Sequence, residues 1–393
     1  MLLIKEHISA SCLLVFLIKT GFYSGGDIDL DNDFETRRYL IDSFSPPSKN
    51  GTVNLTFKDP LSLVGVLKKK APAASEGKLA ADVTGTPASF DVGAGTGAGY
   101  GLVKALKYVR INGEIMQVTR STDTFTIVAR GAWGTIAEDH SLGDTVQECL
   151  YFEGTDRIDE VIRQLLVDQG EIASSFIPAS EWGAESDRWL DEFSPTNIIS
   201  EPTGISALLN QIMDQINVSI WWADRDQLIK LKAEAPALPT DTTYEFNDDQ
   251  IILDSENLKQ RMDLRLSRVL VHHTPRNYTE SDETKNFSVL QVSADLDSES
   301  DLKNKIAQEK QIFARWITGE AQASLLASRY LARFKRAPVE VSFNLDIREH
   351  SLRVGAHIML DSGIVQDVDG SNLIMELQCV ALDFDERKKV FQV

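Results

Sequence analysis

The strictest pattern in this sequence is an alternation of apolar and polar residues near its end. Every second position from Val339 to Ile347 is apolar, and each residue between them is polar. A period of two places all the apolar side chains on one face of a β-strand, so a shift of one residue would turn that face to solvent. The segment is therefore predicted to be a half-buried strand in which Val341→Asp would be strongly destabilising.

The same signature recurs along the chain, so most of the predicted elements are strands. Val53, Leu55 and Phe57 alternate with polar neighbours, and Asn112-Gly113 is the strongest two-residue signal for a β-hairpin. The other predicted strands cover residues 13–18, 37–44, 108–111, 114–119, 124–129, 218–222, 228–232, 264–272, 356–360, 373–384 and 390–393.

Three segments have the helical period of 3.6 residues instead. One follows Asp156, a predicted N-cap, and ends at Gly170; the others cover 205–216 and 320–334. Strands and helices together predict an α+β fold that is mostly β. The predicted core contains segment 13–18, the apolar rows at 53–57 and 339–347, and the helix stripes at 158–166 and 205–216.

Length and composition divide this fold into four predicted segments. A chain of 393 residues exceeds the usual size of one domain. Residues 68–101 combine a lysine triplet, Ala/Pro/Ser/Thr-rich sequence and a glycine run, which is the composition of a linker or mobile loop. The predicted segments are 1–66, 67–150 (this loop followed by a small β module), 151–245 (an acidic α/β segment) and 246–393.

The chain is acidic, with a formal charge of −19. Such a charge argues against wrapping nucleic acid through phosphate neutralisation, and no sequence-specific nucleic-acid binding is expected. Segment 151–245 holds 18 acidic residues against 6 basic ones, a net charge of −12. Two interpretations of this acidity stay open: it confers solubility, or it forms an acidic wall that faces DNA or a basic partner.

The apolar N-terminal run also has two interpretations. Cys12–Ile18 is the longest apolar run and is far shorter than the ~18 residues of a membrane-spanning helix, so no stable membrane insertion is expected. Charged residues flank it and no clear cleavage pattern follows, which favours a buried strand over an export signal. Cys12, Cys149 and Cys379 lie far apart, which excludes a disulfide scaffold and a cysteine-rich metal site built from this chain alone.

Several short motifs resemble catalytic or ligand-binding signatures, and each has a simpler interpretation. His272-His273 lies on a predicted strand, where neighbouring rings point to opposite faces and cannot share a metal. Asp361-Ser362-Gly363 matches the aspartic-protease triplet but has no second copy, so a turn is favoured. The glycine run 93–101 lacks phosphate-loop spacing. The alternating aspartates at 27–33 and at 367–369 lack the EF-hand pattern. We therefore predict no catalytic, cofactor-binding or metal-binding residues, and no cofactor.

One enzymatic alternative remains, a peptidoglycan-degrading cell-wall hydrolase. Glu181, Glu185 and Asp187 lie in a predicted loop together with Trp182 and Trp189, and glycosidases use two carboxylates beside aromatic side chains. The favoured interpretation is a solvated acidic loop that the two tryptophans hold against the protein. A secreted adhesin is a third class, and it requires the N-terminal run to be a true export signal.

Three stretches together resemble the tail-hub (baseplate hub, tail-tip) proteins of tailed bacteriophages. Residues 34–61 are similar to a strand–turn–strand of that family that ends in Lys-Asp-Pro-Leu. Residues 108–146, from Tyr-Val-Arg-Ile-Asn-Gly to His-Ser-Leu-Gly-Asp-Thr-Val, resemble small β modules of phage tail and tip proteins. Residues 327–347, followed by Leu-Arg-Val-Gly, are similar to the late barrel of hub proteins.

The resemblance implies a structural virion protein and not an enzyme. Its expected fold consists of barrel-like tail-hub domains with inserted segments, in which 1–66 and 246–393 supply portions of two barrels. Three chains would form a ring below a hexameric tail-tube layer and line the exit channel during DNA ejection. The expected partners are the distal tail protein or tail tube, other tail-tip proteins, the central fibre and the tape-measure protein. Synthesis is expected in the host cytoplasm, before incorporation into the virion.

Overall fold

The computed structural model describes the chain except residues 1–3, 9–13, 22–33, 63–68, 103, 237, 239–240, 302–306, 347–350, 364–365, 368, 386–389 and 393. Two compact units share the chain. Unit 1 comprises Met1–Ala233, Val271–Gln291 and Ile312–Leu326, and unit 2 comprises Glu234–Leu270, Val292–Gln311 and Ala327–Val393. The four segments expected from the sequence stay a prediction.

The first sheet of unit 1 has four antiparallel strands in chain order: β1 (Ile4–Ile8), β2 (Leu14–Gly21), β3 (Phe34–Phe44) and β4 (Leu55–Lys58). The strands predicted at 13–18 and 37–44 are present as β2 and β3, although Leu13 lies outside the described residues. The predicted burial of Val53 and Leu55 is wrong, because both side chains are exposed. A β-bulge between Ile41 and Ser43 shifts the register of β3 against β4, and β4 starts only at Leu55.

The small β module follows the first sheet. The strands of residues 70–148 are β5 (Lys70–Ala71), β6 (Ser89–Asp91), β7 (Tyr108–Ile111), β8 (Glu114–Ser121), β9 (Thr124–Ala129) and β10 (Val146–Glu148). Five of them form a sheet in the order β10-β7-β8-β9-β6. The predicted hairpin is confirmed: Ile111 lies opposite Glu114 across the Asn112-Gly113 turn, and Asn112 has φ 50°.

The linker predicted at 68–101 is wrong, because this stretch completes the core of the module. Its few large apolar residues are buried against the sheet: Leu79, Val83, Phe90, Val92 and Tyr100. The glycines permit close backbone approach, since a Cβ at Gly97 would lie 2.1 Å from the carbonyl oxygen of Thr122. Average composition does not reveal this core. A few well-placed apolar side chains are enough to form it when small residues surround them.

An α/β part completes the first long stretch of unit 1. Its elements are β11 (Leu150–Glu153), α1 (Ile158–Arg163), α2 (Ala179–Trp189), β12 (Thr196–Ile199), β13 (Thr203–Gly204), α3 (Ile205–Ile216), β14 (Val218–Ala223) and β15 (Leu228–Ala233). Antiparallel pairs join β11 to β12, β13 to β5 and β14 to β15.

Both predicted helix stripes in this part are confirmed. All ten of their apolar side chains are buried: Ile158, Val161, Ile162, Leu165, Leu166, Ile205, Leu208, Leu209, Ile212 and Ile216. Helix α1 continues as a π-helix over Gln164–Gln169 and ends at Gly170 as predicted. The N-cap is Arg157 and not Asp156, because the helix begins only at Ile158. The predicted acidic loop is also corrected, since its central part is helix α2.

The remaining elements complete the two units. They are β16 (Thr243–Asn247), β17 (Asn257–Gln260), β18 (Arg268–Pro275), β19 (Phe287–Ala294), α4 (Leu296–Asp301), β20 (Glu309–Ala314), α5 (Glu320–Phe334), β21 (Val339–Ser342), β22 (Asn344–Asp346), β23 (His357–Asp361), β24 (Met375–Gln378), β25 (Asp383–Asp385) and β26 (Val390–Gln392). They form the sheets β16-β23-β24, β17-β21, β19-β18-β20 and β22-β26-β25. The predicted helix at 320–334 is α5. The strand predicted at 264–272 begins later, as β18.

Strand β19 runs antiparallel to β18, its only neighbour among the described strands. The backbone N–H of Arg276 donates to Asn286 at one end of the pair, at 2.7 Å. The backbone N–H of Asp295 donates to Ser267 at the other end, at 2.9 Å. Sequence numbers therefore rise in opposite directions along the two strands.

Strand β20 runs parallel to β18 on the other side of this sheet. The backbone N–H of Ser267 donates to Gln308 at 2.8 Å, and that of Thr274 donates to Ile317 at 3.1 Å. Sequence numbers therefore rise in the same direction along β18 and β20. It follows that β19 and β20, the two outer strands, are antiparallel to each other.

The alternating segment 339–347 forms two strands instead of one. Phe343 and Leu345 are buried in the core of unit 2 with Ile358 and Leu360, as predicted. Val341 packs partly against that core, but Val339 is 42% exposed, so its predicted burial is wrong. The chain leaves the β17-β21 pair at Phe343 and joins another sheet as β22, so the apolar row does not stay on one buried face. Ile347 lies outside the described residues.

The α+β, mostly β class is confirmed by these elements. The barrel-like form that the resemblance implied needs correction, because no sheet formed by the described residues closes on itself. The largest of these sheets has five strands. Barrels with side-chain-filled interiors usually have about eight.

Candidate functional site

The carboxylates proposed for a hydrolase all lie on helix α2, and each contacts its own chain. Glu181 accepts a hydrogen bond from the Lys230 ammonium at 2.9 Å. Glu185 accepts one from the backbone N–H of Ala233 at 3.0 Å. Asp187 forms an ion pair with Arg157 at 2.5 Å. The first two bind strand β15, whereas the third binds the residue that precedes α1, so the helix directs these carboxylates to different parts of the protein.

Trp182 holds helix α2 in place, as the favoured sequence interpretation expected of it. Trp182 is buried, and its indole Nε1–H donates to the carbonyl oxygen of Ile229 at 2.9 Å. Trp189 is partly buried, and the Arg188 guanidinium lies 5.5 Å from the centre of its ring. A sugar-binding platform needs an exposed aromatic face, and burial removes the Trp182 face from solvent.

The two neighbouring histidines are packing residues in the interior of β18. His272 stacks on Phe313 with 5.0 Å between ring centres, and His273 shares a hydrogen bond with the Thr274 hydroxyl at 2.9 Å. Removal from water lowers the pKa of both rings, which favours their neutral form. Among the described residues, no group of three or more His, Cys, Asp or Glu side chains could hold a metal ion.

The Asp-Ser-Gly triplet forms the turn after β23. Asp361 accepts from the Asn372 amide at 2.9 Å, and the buried Ser362 hydroxyl donates to Glu256 at 2.5 Å. Gly363 donates its backbone N–H to Asp248 at 3.3 Å. The turn interpretation therefore accounts for all three residues. Of the aspartates considered for calcium, Asp369 accepts from Ser371 in a turn, and residues 27–33 lie outside the described residues.

The glycine run of the module does not present the amide donors that a phosphate loop would need. Asp123 accepts from the backbone N–H groups of Gly95 and Gly97, both at 2.8 Å. Glu148 accepts from the backbone N–H of Gly101 at 2.9 Å. These amides bind carboxylates of the same chain, and the hydrogen bonds lower the pKa of Asp123. The run is an ordered loop, not a flexible one.

A cavity of about 390 Å³ lies beside this glycine run. Glu148 and Lys104 line it, and removal from water raises the pKa of Glu148. The Lys104 ammonium donates to the Tyr151 carbonyl oxygen at 2.8 Å and pairs with Asp156 at 3.2 Å. These two charged groups are thus bound to their own chain.

A buried carboxylate that the sequence interpretation missed organises another part of the module. Glu114 is fully buried and accepts from both Nε and NH2 of Arg130, at 3.0 and 2.6 Å. It also accepts from the backbone N–H groups of Gly131 and Glu138, and shares a 2.9 Å hydrogen bond with His140 Nε2. Burial alone would raise the Glu114 pKa, but these bonds outweigh it, and the pKa lies below its ordinary value.

Trp133 fixes the module to the rest of unit 1. Its ring lies edge-to-face against Tyr108 and Tyr278, with ring centres 5.7 and 4.8 Å away, and its carbonyl oxygen accepts from the Tyr278 backbone N–H at 3.2 Å. Trp133 has φ 56°, which is unusual for a bulky residue. A Cβ at the following Gly134 would lie 1.7 Å from the carbonyl oxygen of Arg276, so only glycine fits there.

Strands β17, β19 and β21 leave apolar side chains open to solvent; Phe44 of β3, Leu55 of β4 and Val128 of β9 are exposed as well. In β19, Val289, Leu290 and Val292 are between 40% and 49% exposed. All four residues of β17 are exposed, including Leu258, and β21 exposes Val339. We call these strands, β17, β19 and β21, the open strands. No helix of the described residues is long and apolar enough to span a membrane.

Comparisons with known proteins give low similarities. No protein-family model matches the chain, and no curated protein matches it. A chain from the virion of a native gene transfer agent particle is 13% identical, with a TM-score of 0.39, over 60% of this chain and 46% of that one. The prophage tail protein gp18 from Listeria monocytogenes EGD-e is 10% identical, with a TM-score of 0.31, over 86% of this chain and 88% of that one. Likenesses of this size do not by themselves assign a function.

Proposed function

We propose that the chain is a structural component of a bacteriophage tail tip. It would form a ring-shaped hub that joins the tail tube to the distal tip and lines the exit channel. The sequence resemblance supports this proposal in three stretches. Residues 34–61 contain β3, a turn and β4; residues 108–146 lie in the β module; and residues 327–347 contain the end of α5 followed by β21 and β22.

The observation that carries the proposal is the apolar surface of the open strands. A monomeric protein usually protects strand edges with charges, prolines or covering segments, because an exposed apolar edge pairs with other chains. Leu258 in β17, Leu290 in β19 and Val339 in β21 instead face solvent in the isolated chain. Such a surface suits a protein that works inside an assembly, where neighbouring subunits cover it.

The remaining parts of the proposal follow from the resemblance. Three chains would form the ring below a sixfold tail-tube layer. The neighbours would be the distal tail protein or tail tube, other tail-tip proteins, the central fibre and the tape-measure protein. If the acidic surface lines the channel, its negative charge would prevent DNA from adhering, because like charges repel. The protein would be made in the host cytoplasm and become part of the virion.

The direct test is the protein content of purified particles. Quantitative mass spectrometry is expected to find the chain at a few copies per virion, in a fixed ratio to the tail-tube protein. Disruption of the gene is expected to yield particles without a complete tail tip. Particles that assemble normally and do not contain the chain would contradict the proposal.

A hydrolase is not proposed, because Glu181, Glu185 and Asp187 contact different parts of the chain. The purified full-length protein is expected to release no fragments from peptidoglycan in a zymogram, beside lysozyme as a positive control. Glu185→Gln serves as the matched variant. Turnover by the wild-type protein that disappears in Glu185→Gln would show that the carboxylate is catalytic and that the non-enzymatic proposal is wrong.

A further inference from the structure

Strand β19 lacks the features that usually protect a sheet edge. Its sequence, Phe-Ser-Val-Leu-Gln-Val-Ser-Ala, contains no charged residue, no proline and no glycine. Val289 points to one face of the strand while Leu290 and Val292 point to the other, since side chains alternate. All three are exposed. With no described strand on its outer edge, β19 thus combines an open row of backbone groups with apolar side chains on both faces, which is the arrangement that adds another strand.

We propose that β19 of one subunit pairs with β20 of the next copy of this chain. This inference rests on the proposed ring and identifies the contact that would build it. A closed ring needs two different, complementary surfaces on each subunit. The sheet β19-β18-β20 offers both, because β19 and β20 are its two outer strands in the described part of the chain.

Strand directions favour this junction. Within one chain β19 and β20 are antiparallel, as the backbone hydrogen bonds to β18 show. Rotation about a ring axis that runs along the strands preserves their direction. The β20 strand of the next subunit would therefore meet β19 antiparallel, and a continuous sheet would pass from subunit to subunit.

Charge also favours a second copy as the occupant. Two chains that each carry −19 repel one another over most of their surfaces, so they can approach most easily where the contact is neutral. Strand β19 has no charge, and in β20 the charges of Glu309 and Lys310 balance. The proposed junction therefore brings together two strands with no net charge.

The first test introduces charges on β19 in the full-length chain. Leu290→Lys combined with Val292→Lys is expected to weaken self-association by at least about tenfold, because ammonium groups oppose burial in an apolar contact. Native mass spectrometry and light scattering would measure the oligomer, and circular dichroism would verify folding. The matched control is Leu253→Lys with Val380→Lys, at apolar residues that are 85% and 73% exposed and lie outside the strands. The control is expected to assemble normally.

The second test locates the partner strand by disulfide formation. Gln291→Cys in β19 and Gln311→Cys in β20 would be combined in a Cys12→Ser background, and Cys149 and Cys379 are buried. Strand β18 separates the two positions within a chain by about 10 Å, which is too far for a disulfide. The double variant is therefore expected to form covalent dimers and trimers, whereas each single cysteine gives none.

Several outcomes would overturn this inference. The inference is wrong if the wild-type chain stays monomeric at high concentration. It is also wrong if the double variant with Leu290→Lys and Val292→Lys assembles like the control. Cross-linking by Gln291→Cys alone would show a two-fold β19–β19 contact instead of a ring. If the lysine and disulfide tests give the expected results but the chain is absent from virions, the proposed function is wrong and the proposed self-association is still supported. If the chain is in virions but the lysine and disulfide tests do not give the expected results, only the proposed pairing of β19 with β20 is wrong.

Discussion

The β module and the open strands differ in how far their side chains are buried by the chain itself. In the module, Tyr100, Phe125 and other apolar side chains close one face of the sheet, and Glu114 on strand β8 makes five hydrogen bonds with four residues. On β19, Leu290 and Val292 face solvent. The buried carboxylate of the module is satisfied by its own chain, whereas the apolar side chains of the open strands stay exposed in a single chain. Under the proposed function, neighbouring subunits would cover the open strands.

The largest expected loss of stability comes from a substitution in the buried hydrogen-bond network of the β module. Glu114→Gln removes the buried charge that faces Arg130 and is expected to destabilise the module by about 3 kcal/mol. Chemical denaturation of the full chain, with hydrogen exchange of the Val118 and Phe125 amides, would measure the loss. Glu138→Gln is the matched control, since its exposed side chain accepts one hydrogen bond from Gly113, and a change below about 1 kcal/mol is expected. Equal effects of the two substitutions would show that the buried carboxylate has no special role.

A second pair of variants compares buried and exposed positions within one apolar row. Leu345 is fully buried, so Leu345→Ala is expected to lower the free energy of unfolding by about 3 kcal/mol. Val339 belongs to an open strand, and Val339→Ala is expected to cost less than about 0.5 kcal/mol. Urea denaturation of both variants at equal protein concentration provides the measurement. A large loss for Val339→Ala in the monomer would mean that β21 is buried and is not an open strand.

Acid is expected to produce a smaller effect that is specific to the module. The pKa of Glu114 is lower in the folded chain than its ordinary value, so its stabilisation is complete above that ordinary value. The stabilisation is lost as the pH falls through the folded pKa, because the carboxyl group must then take up a proton. Denaturation midpoints between pH 7 and pH 3 should fall more steeply for the wild type than for Glu114→Gln. Parallel curves would contradict this assignment.

The sequence predicted the elements whose signal is local. The stripes at 158–166 and 205–216 and the Asn112-Gly113 hairpin formed because periodicity and turn chemistry act within a few residues. The loop at 68–101 was mispredicted because its buried side chains are sparse, and their partners, such as Phe125, are distant in sequence. A bulge in β3 accompanies the exposure of Val53 and Leu55, and no pattern at 53–57 indicates a bulge in another strand.

The functional features were less predictable than the fold. Glu114 gave no signal because an acidic residue is usually on the surface, and its burial depends on Arg130 and His140, which are supplied by other parts of the module. The exposure of β19 depends on which strands reach its edge, which a single-chain pattern does not encode. By contrast, the interpretation of Asp361-Ser362-Gly363 as a turn was possible, because the residues at a turn determine its local chemistry.

Cryo-electron microscopy of the tail tip in purified particles tests the central claim most directly. We expect density for three copies of this chain in a closed ring coaxial with the tail tube, with the open strands covered by neighbouring subunits. A channel wall that is acidic would agree with the charge of the chain. Six copies, a single copy or no copy at the tip would contradict the trimeric hub, and a channel wall dominated by Lys and Arg would contradict its electrostatic part.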